Sequence, residues 1–387
     1  MTAITDYLKS VNIKKLNEGR EFESNQLGSY VEQELDLENP PHIAIFHIEE
    51  ERGASSNEGC SKGGDEIRKY FYRLKKGDYN LRLCDLGMIE AGNSLSDTYF
   101  AVKEVVKELI KLKVIPVIIG GSQDLTLASY MAYGQLEQTV NLVDINSSFS
   151  LGNTDLPINS ENYFSKVLLQ QPNVLFNYSH LGYQSYFTDQ QELKLLDELF
   201  FDLHRLGSIK EDVRKSEPVL RNADFVSFNM NVVAQAFAPA NKNGSPNGLS
   251  GEEACQLARY AGMSDKLSSF GIYEYNPIND HHGMTAHLIA QMIWYFMEGF
   301  YNRKQDFPAC NKNEYTRFTV TIDDGNQEIV FYKSPKSDRW WMEVPYSSTF
   351  RKRYERHLML PCDYEDYSVA MENEIPERWF QTHKKLK

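Results

Sequence analysis

Apolar and polar positions alternate along the chain in two rhythms. His42–Ile48 (HIAIFHI) is a short apolar run and reads as a first buried strand. Over Asp65–Lys76, residues Ile67, Tyr70, Phe71 and Leu74 fall at helical spacing. Val102, Val105, Val106, Leu109 and Ile110 repeat at i, i+3, i+4, with Ser94 or Ser96 placed to cap the start of that helix. Val114–Ile119 is continuously apolar and ends in Gly120-Gly121, the pattern of a strand covered on both faces within a parallel sheet. The rhythm then predicts a helix over 124–134, strands at 140–145 and near 173–179, and a helix over 188–199. A strand at 224–230, a helix at 251–262, a strand at 268–274 and a long helix at 284–303 complete it. Strands alternating with helices from residue 42 to residue 303 predict an α/β fold: three layers, doubly wound, with a mainly parallel sheet.

The flanks read differently. Residues 1–40 are polar and predict a loosely attached N-terminal arm, leaving 41–305 as the α/β domain. Residues 306–387 form a C-terminal extension. Within it Arg317–Tyr332 alternates apolar and polar positions around Asp323-Asp324-Gly325-Asn326, a β-hairpin signature. Trp340, Trp341 and Trp379 lie among charges, as in an appendage packed on the core or on a neighbouring subunit. No internal repeat is present, and the extension carries no catalytic motif.

Charge and cysteine content narrow the function classes. The net charge of −13 over 387 residues opposes binding to phosphate backbones and anionic lipid, so neither nucleic acid nor membrane insertion is expected. Cys60, Cys84, Cys255, Cys310 and Cys362 are scattered, with no Cys-x-x-Cys pair, as expected of reduced thiols in a cytoplasmic protein. Met1–Arg20 has no apolar core, so no signal peptide is expected, and Leu288–Phe300 is short and interrupted by Gln291 and Glu298. No nucleophile elbow, P-loop or dinucleotide fingerprint occurs. His42, His47, His180 and His204 fall on expected strands or their edges and read as structural, and the adjacent His281 and His282 point in different directions.

Ligands of doubly wound sheets bind where strands end at their carboxyl edge. Four expected strand ends run into polar clusters: IIGGSQD (118–124), VDINSSFS (143–150), SFNMN (227–231) and YEYNP (273–277). Taken together, in this order and spacing, they resemble the ureohydrolase family of arginase, agmatinase and formimidoylglutamase, with the formimidoylglutamase-like branch nearest. Pro246-Asn247-Gly248-Leu249-Ser250, Asp280 and Thr285-Ala286 fit the same pattern, and the resemblance spans about residues 40–305. It implies an arginase-like fold, trimers or hexamers, and a pair of Mn²⁺ ions held by two His and four Asp around a bridging hydroxide.

The ligand positions have changed. Gln123 and Asn146 stand where the family has His; Ser148, or Ser150 if the loop is two residues longer, and Asn229 and Asn231 stand where it has Asp. Asp144 alone is kept. Neutral amides and hydroxyls are weak Mn²⁺ ligands, and without two metals no bound water has its pKa lowered towards neutrality. No cofactor is therefore expected, and no residue stands out as catalytic. Asp124 offers a displaced carboxylate or a cap for the next helix. Glu274 matches the family position facing the substrate's guanidinium or formimino group; alternatively it binds neighbouring backbone. The expectation is an arginase-fold binding protein (scaffold, assembly subunit or sensor) that has lost di-manganese hydrolysis, forms homo-oligomers or engages a protein partner, and takes an amidine or guanidine ligand on Glu274 and Asp144. The alternative is a formimidoylglutamase-like C–N hydrolase of linear amidines with an atypical metal site.

Overall fold

The computed structural model describes residues 4–308, 312–322, 325, 327–346 and 354–386. Cys310 and the turn residues Asp323, Asp324 and Asn326 lie outside them.

Eight strands form one sheet: β1 Ile43–Glu49, β2 Leu83–Glu90, β3 Ile115–Ile119, β4 Val140–Ile145, β5 Leu175–Tyr183, β6 Asp202–Arg205, β7 Phe225–Asn229 and β8 Ser269–Tyr273. Their order is β2-β1-β3-β8-β7-β4-β5-β6, and every pairing is parallel. β3, β4, β7 and β8 are buried along their whole length, which explains their near-continuous apolar sequence. One face is covered by the helices Gly64–Phe71, Gly251–Gly262 and Met284–Tyr301, the other by Leu95–Lys111, Leu125–Gln135 and Tyr163–Leu169.

The helices form for local reasons and stay for tertiary ones. Ser94 and Asp97 make a reciprocal capping box at the start of Leu95–Lys111, and Ser250 with Glu253 does the same at Gly251–Gly262. Met284–Tyr301 buries Leu288, Ile289, Met292, Ile293, Phe296 and Met297, each contributing about 1.5–3 kcal/mol. Its approach to Gly251–Gly262 depends on Gly262, where a Cβ would lie 2.1 Å from the Phe296 carbonyl oxygen.

β2 and β6 escape the sequence pattern. In β2 the apolar run is broken by Asp85, whose buried carboxylate takes the Arg68 guanidinium at 2.7 and 2.9 Å and the Tyr72 hydroxyl. β6 (Asp202–Arg205) is short and polar. The N-terminal segment departs from the loose arm its composition predicts. Val11, Leu16 and Leu27 are buried, and Lys9 and Glu32 bridge to Met88 and Cys84 of β2. The segment thereby covers an edge strand whose backbone would otherwise be open to pairing.

The expected hairpin is β9 (Thr316–Ile322) with β10 (Gln327–Lys333). It belongs to a second, antiparallel sheet of order β12-β11-β10-β9, completed by β11 (Trp340–Glu343) and β12 (Met359–Cys362) and followed by helices Tyr364–Met371 and Glu377–Leu386. This extension is seated at the amino edge of the main sheet. Arg356 reaches the Thr139 carbonyl at 3.0 Å and the Asp224 carboxylate, just before β4 and β7. Arg221 donates to the carbonyls of Trp340 and Cys362 at 3.1 and 2.8 Å, with its guanidinium 4.6 Å from the Trp341 ring centre. No helix among the described residues is long and apolar enough to cross a membrane.

Candidate functional site

The order β3-β8-β7-β4 places side by side the four strands whose ends carry the polar clusters. After β3 the chain turns tightly across β1: a Cβ on Gly121 would lie 1.7 Å from the Glu50 carbonyl oxygen, so only glycine permits the close approach. That turn delivers Gln123 into the centre of the sheet edge. Its Nε2 donates to Asp144 Oδ1 at 2.8 Å and to Ser227 Oγ at 3.0 Å. Its Oε1 accepts from Asn146 Nδ2 at 2.8 Å and from Asn229 Nδ2 at 2.7 Å. Both amide protons and both lone pairs are used.

The orientation of this net is fixed by groups with one possible role. Asp144 presents acceptors to Gln123. Asn229 Oδ1 accepts from the Asn231 backbone N–H at 2.9 Å and Asn146 Oδ1 from that of Ser148 at 3.4 Å, which turns both NH₂ groups towards Gln123. The N–H donors of Asn146 and Asn229 therefore converge on Gln123 Oε1. Asp144 also takes the Tyr178 hydroxyl at 3.1 Å, and His180, 3.5 Å away, bonds to the Asn146 carbonyl at 3.0 Å. Among the described residues no group of three or more His, Cys, Asp or Glu could hold a metal. Two divalent cations do not fit this donor set: one carboxylate remains for four positive charges, and its Gln123-facing oxygen is engaged by an amide.

Above this floor a cavity of about 360 Å³ opens. Asn146, Ser148, Ser150, Asn229, Asn231 and Glu274 line it, together with Asn241, Asn243, Ser147, Ser160, Phe149, Phe187 and Glu161. Ser148 and Ser150 thus both belong to the wall. Gln123 and Asp144 are not among the lining residues, so Asp144 does not stand beside Glu274 on the wall as expected; the carboxylates there are Glu274 and Glu161. Asp124 stands at the N-cap of Leu125–Gln135 but makes no side-chain capping hydrogen bond. It is fully buried against Gly53, takes the Tyr99 hydroxyl, and is pushed up to about 6 by burial.

Glu274 has a backbone φ of +67°, unusual for a residue with a Cβ. Its conformation is over-determined: its N–H reaches the Gly121 carbonyl at 2.9 Å, and its own carbonyl accepts from Asn57 and Asn241 at 3.2 and 3.0 Å. Its carboxylate accepts from the Gln123 backbone N–H at 2.9 Å and Asn57 Nδ2 at 2.7 Å. Burial pushes this carboxyl up to about 7; the Asn57 and Gln123 hydrogen bonds pull against that, while Asp124 and Glu161 add to it. Glu274 therefore accepts from the Gln123 backbone and also lines the cavity.

Sequence reasoning missed Asn57 and Asn241, which lie in aperiodic loops outside the four clusters. Ser227 stood within the third cluster without a role. Asp280 accepts from the N–H groups of Thr285 and Ala286 and so supports the start of Met284–Tyr301, while His281 and His282 are exposed.

Comparison with known proteins places this geometry in a lineage. The chain is 27% identical over 273 residues to a formimidoylglutamase of Staphylococcus haemolyticus, covering 66% of this chain and 85% of that protein. A formimidoylglutamase of Staphylococcus aureus strain MRSA252 is 26% identical over 282 residues, with 67% and 86% covered. Among solved structures, formimidoylglutamase from Bacillus subtilis superposes with a TM-score of 0.67 at 18% identity, covering 74% of this chain and 96% of that one. Trypanosoma cruzi formiminoglutamase with Mn²⁺ gives 0.64 at 18%, covering 72% and 99%. The arginase family model matches residues 41–298, and the chain belongs to the arginase family.

Proposed function

We propose that this arginase-family protein acts by binding an amidine- or guanidine-bearing ligand in the amide-lined cavity, and that it does so in the cytoplasm without di-manganese hydrolysis. The observation that carries the reading is Gln123, whose carboxamide makes four hydrogen bonds at the centre of the family's metal positions. A planar cation suits what remains above it. Glu161 and Glu274 supply negative charge, and Phe149 and Phe187 supply flat apolar walls. Buried free thiols at Cys60, Cys84, Cys255 and Cys362 agree with a reducing compartment.

A second reading, hydrolysis of the C–N bond of a linear amidine, is favoured by the names of the relatives. It also draws on Glu274, since a carboxyl pushed up to about 7 lies in the range of a general base. The experiment separating the two is calorimetric titration with formamidine and guanidine ligands alongside an assay for released ammonia, with and without added Mn²⁺. Saturable binding with no ammonia supports the binding protein. Ammonia release that disappears in Glu274→Gln would replace it with the hydrolase.

A further inference from the structure

A second cavity, of about 450 Å³, lies across the turn Gln184–Phe187 from the first, and its charge is opposite. The amide cavity carries two carboxylates and no cationic side chain on its wall. The second carries Arg205 and Lys210 and no carboxylate on its wall. In a chain of net charge −13 such a concentration of positive potential stands against the background.

The two cations are not equivalent. Lys210 Nζ is shared between Glu253 at 3.2 Å and the Gly248 carbonyl at 3.3 Å. Arg205 sits in register with Tyr183 on the neighbouring strand, and its exposed side chain makes no hydrogen bond or ion pair to any described residue. One whole guanidinium fork is therefore available, and the second charge is largely spent. The same wall carries Tyr186 and Phe237, large rings left 63% and 46% exposed. The Tyr186 hydroxyl is tied to Gln184, which holds that ring in place.

We propose that this cavity is a binding site for a small organic monocarboxylate with a flat apolar body. Arg205 takes the carboxylate through two parallel N–H···O bonds, the arrangement that guanidinium geometry favours. Tyr186 and Phe237 cover the body and are themselves removed from water. One free positive charge matches a monoanion and leaves a phosphate dianion under-neutralised. The size is that of an ordinary small-molecule pocket. This site does not depend on the amide cavity or on the reading given to it.

Calorimetry on the full chain with phenylacetate tests the proposal, with inorganic phosphate and benzylamine as comparison probes. The expected result is saturable phenylacetate binding that weakens at least tenfold in Arg205→Gln and several-fold in Phe237→Ala, with both melting temperatures unchanged. Phosphate and benzylamine bind the parent protein at least tenfold more weakly. Any of three results overturns it: no saturation with phenylacetate, equal affinity in Arg205→Gln, or phosphate binding as tightly as phenylacetate. Competitive displacement of phenylacetate by guanidinium would also overturn it, by placing the carboxylate in the amide cavity.

Discussion

At the amino edge of β4 and β7, the buried Asp224 carboxylate is met by Arg356 of the extension and by Lys266 at 4.0 Å. At the carboxyl edge of the same two strands, Asp144 and Asn229 are joined through a neutral carboxamide, with no Lys or Arg among their hydrogen-bond partners. Both edges must satisfy buried polar groups. One does it with an ion pair supplied by Arg356 of the C-terminal extension, the other with the amides of Gln123, Asn146 and Asn229 around Asp144. On the reading proposed above, the amide net avoids the repulsion that close carboxylates without a cation would suffer. The ion-pair solution ties the extension to the body.

Disrupting each edge sharpens the contrast. Gln123→Ala removes four hydrogen bonds at once and leaves the NH₂ groups of Asn146 and Asn229 without their acceptor; we expect a loss of about 4 kcal/mol, read by urea denaturation. A loss below about 1 kcal/mol would mean that water takes over the net and that Gln123 is not its centre.

Next in size is a pH effect at the carboxyl edge. The Glu274 carboxyl is raised from 4.5 to about 7 in the folded protein, so the folded state holds its proton more tightly than the unfolded chain does. Its contribution to stability is complete below the unfolded value and is lost as pH rises through the folded one, an effect on the order of 3 kcal/mol between about pH 4.5 and pH 7. Asp124, raised to about 6, slopes the same way. Denaturation at a series of pH values should show stability falling over this window and a flatter profile in Glu274→Gln. An unchanged slope in that variant would assign the effect elsewhere.

The amino edge gives the smallest effect because Arg356 is partly exposed and Lys266 remains near Asp224. Arg356→Ala is expected to cost about 2 kcal/mol, less than the full penalty for breaking a wholly buried pair, and to loosen the extension. Hydrogen exchange should then quicken in β11 and β12 while the cavity loops keep their protection. Loss of protection at both edges together would show that they are one cooperative unit.

The sequence made the frame legible where burial imposed a rhythm. β3 and the helix Leu95–Lys111 could be read because both faces of the strand and one face of the helix are apolar. β2 and the N-terminal segment could not. Asp85 is buried by pairing with Arg68, and Leu16 and Leu27 are single anchors in polar surroundings, so neither leaves a periodic trace. The site followed the same logic. The positions of Gln123, Asn146, Asn229, Asn231 and Glu274 were carried by the strand ends, but their wiring was not. That Gln123 closes over Asp144, and that Asn57 and Asn241 hold the Glu274 backbone, depends on contacts between loops distant in sequence.

The central claim is that the amide net around Gln123 has taken the place of the metals, and manganese content tests it most directly. Purified protein is loaded with excess Mn²⁺, freed of unbound ion and submitted to elemental analysis. The account predicts essentially no manganese retained per chain. Retention of about two manganese ions per chain would contradict it, because Gln123, Asn146 and Asn229 would then have to turn their oxygens to a cation and abandon the hydrogen bonds that now define the site.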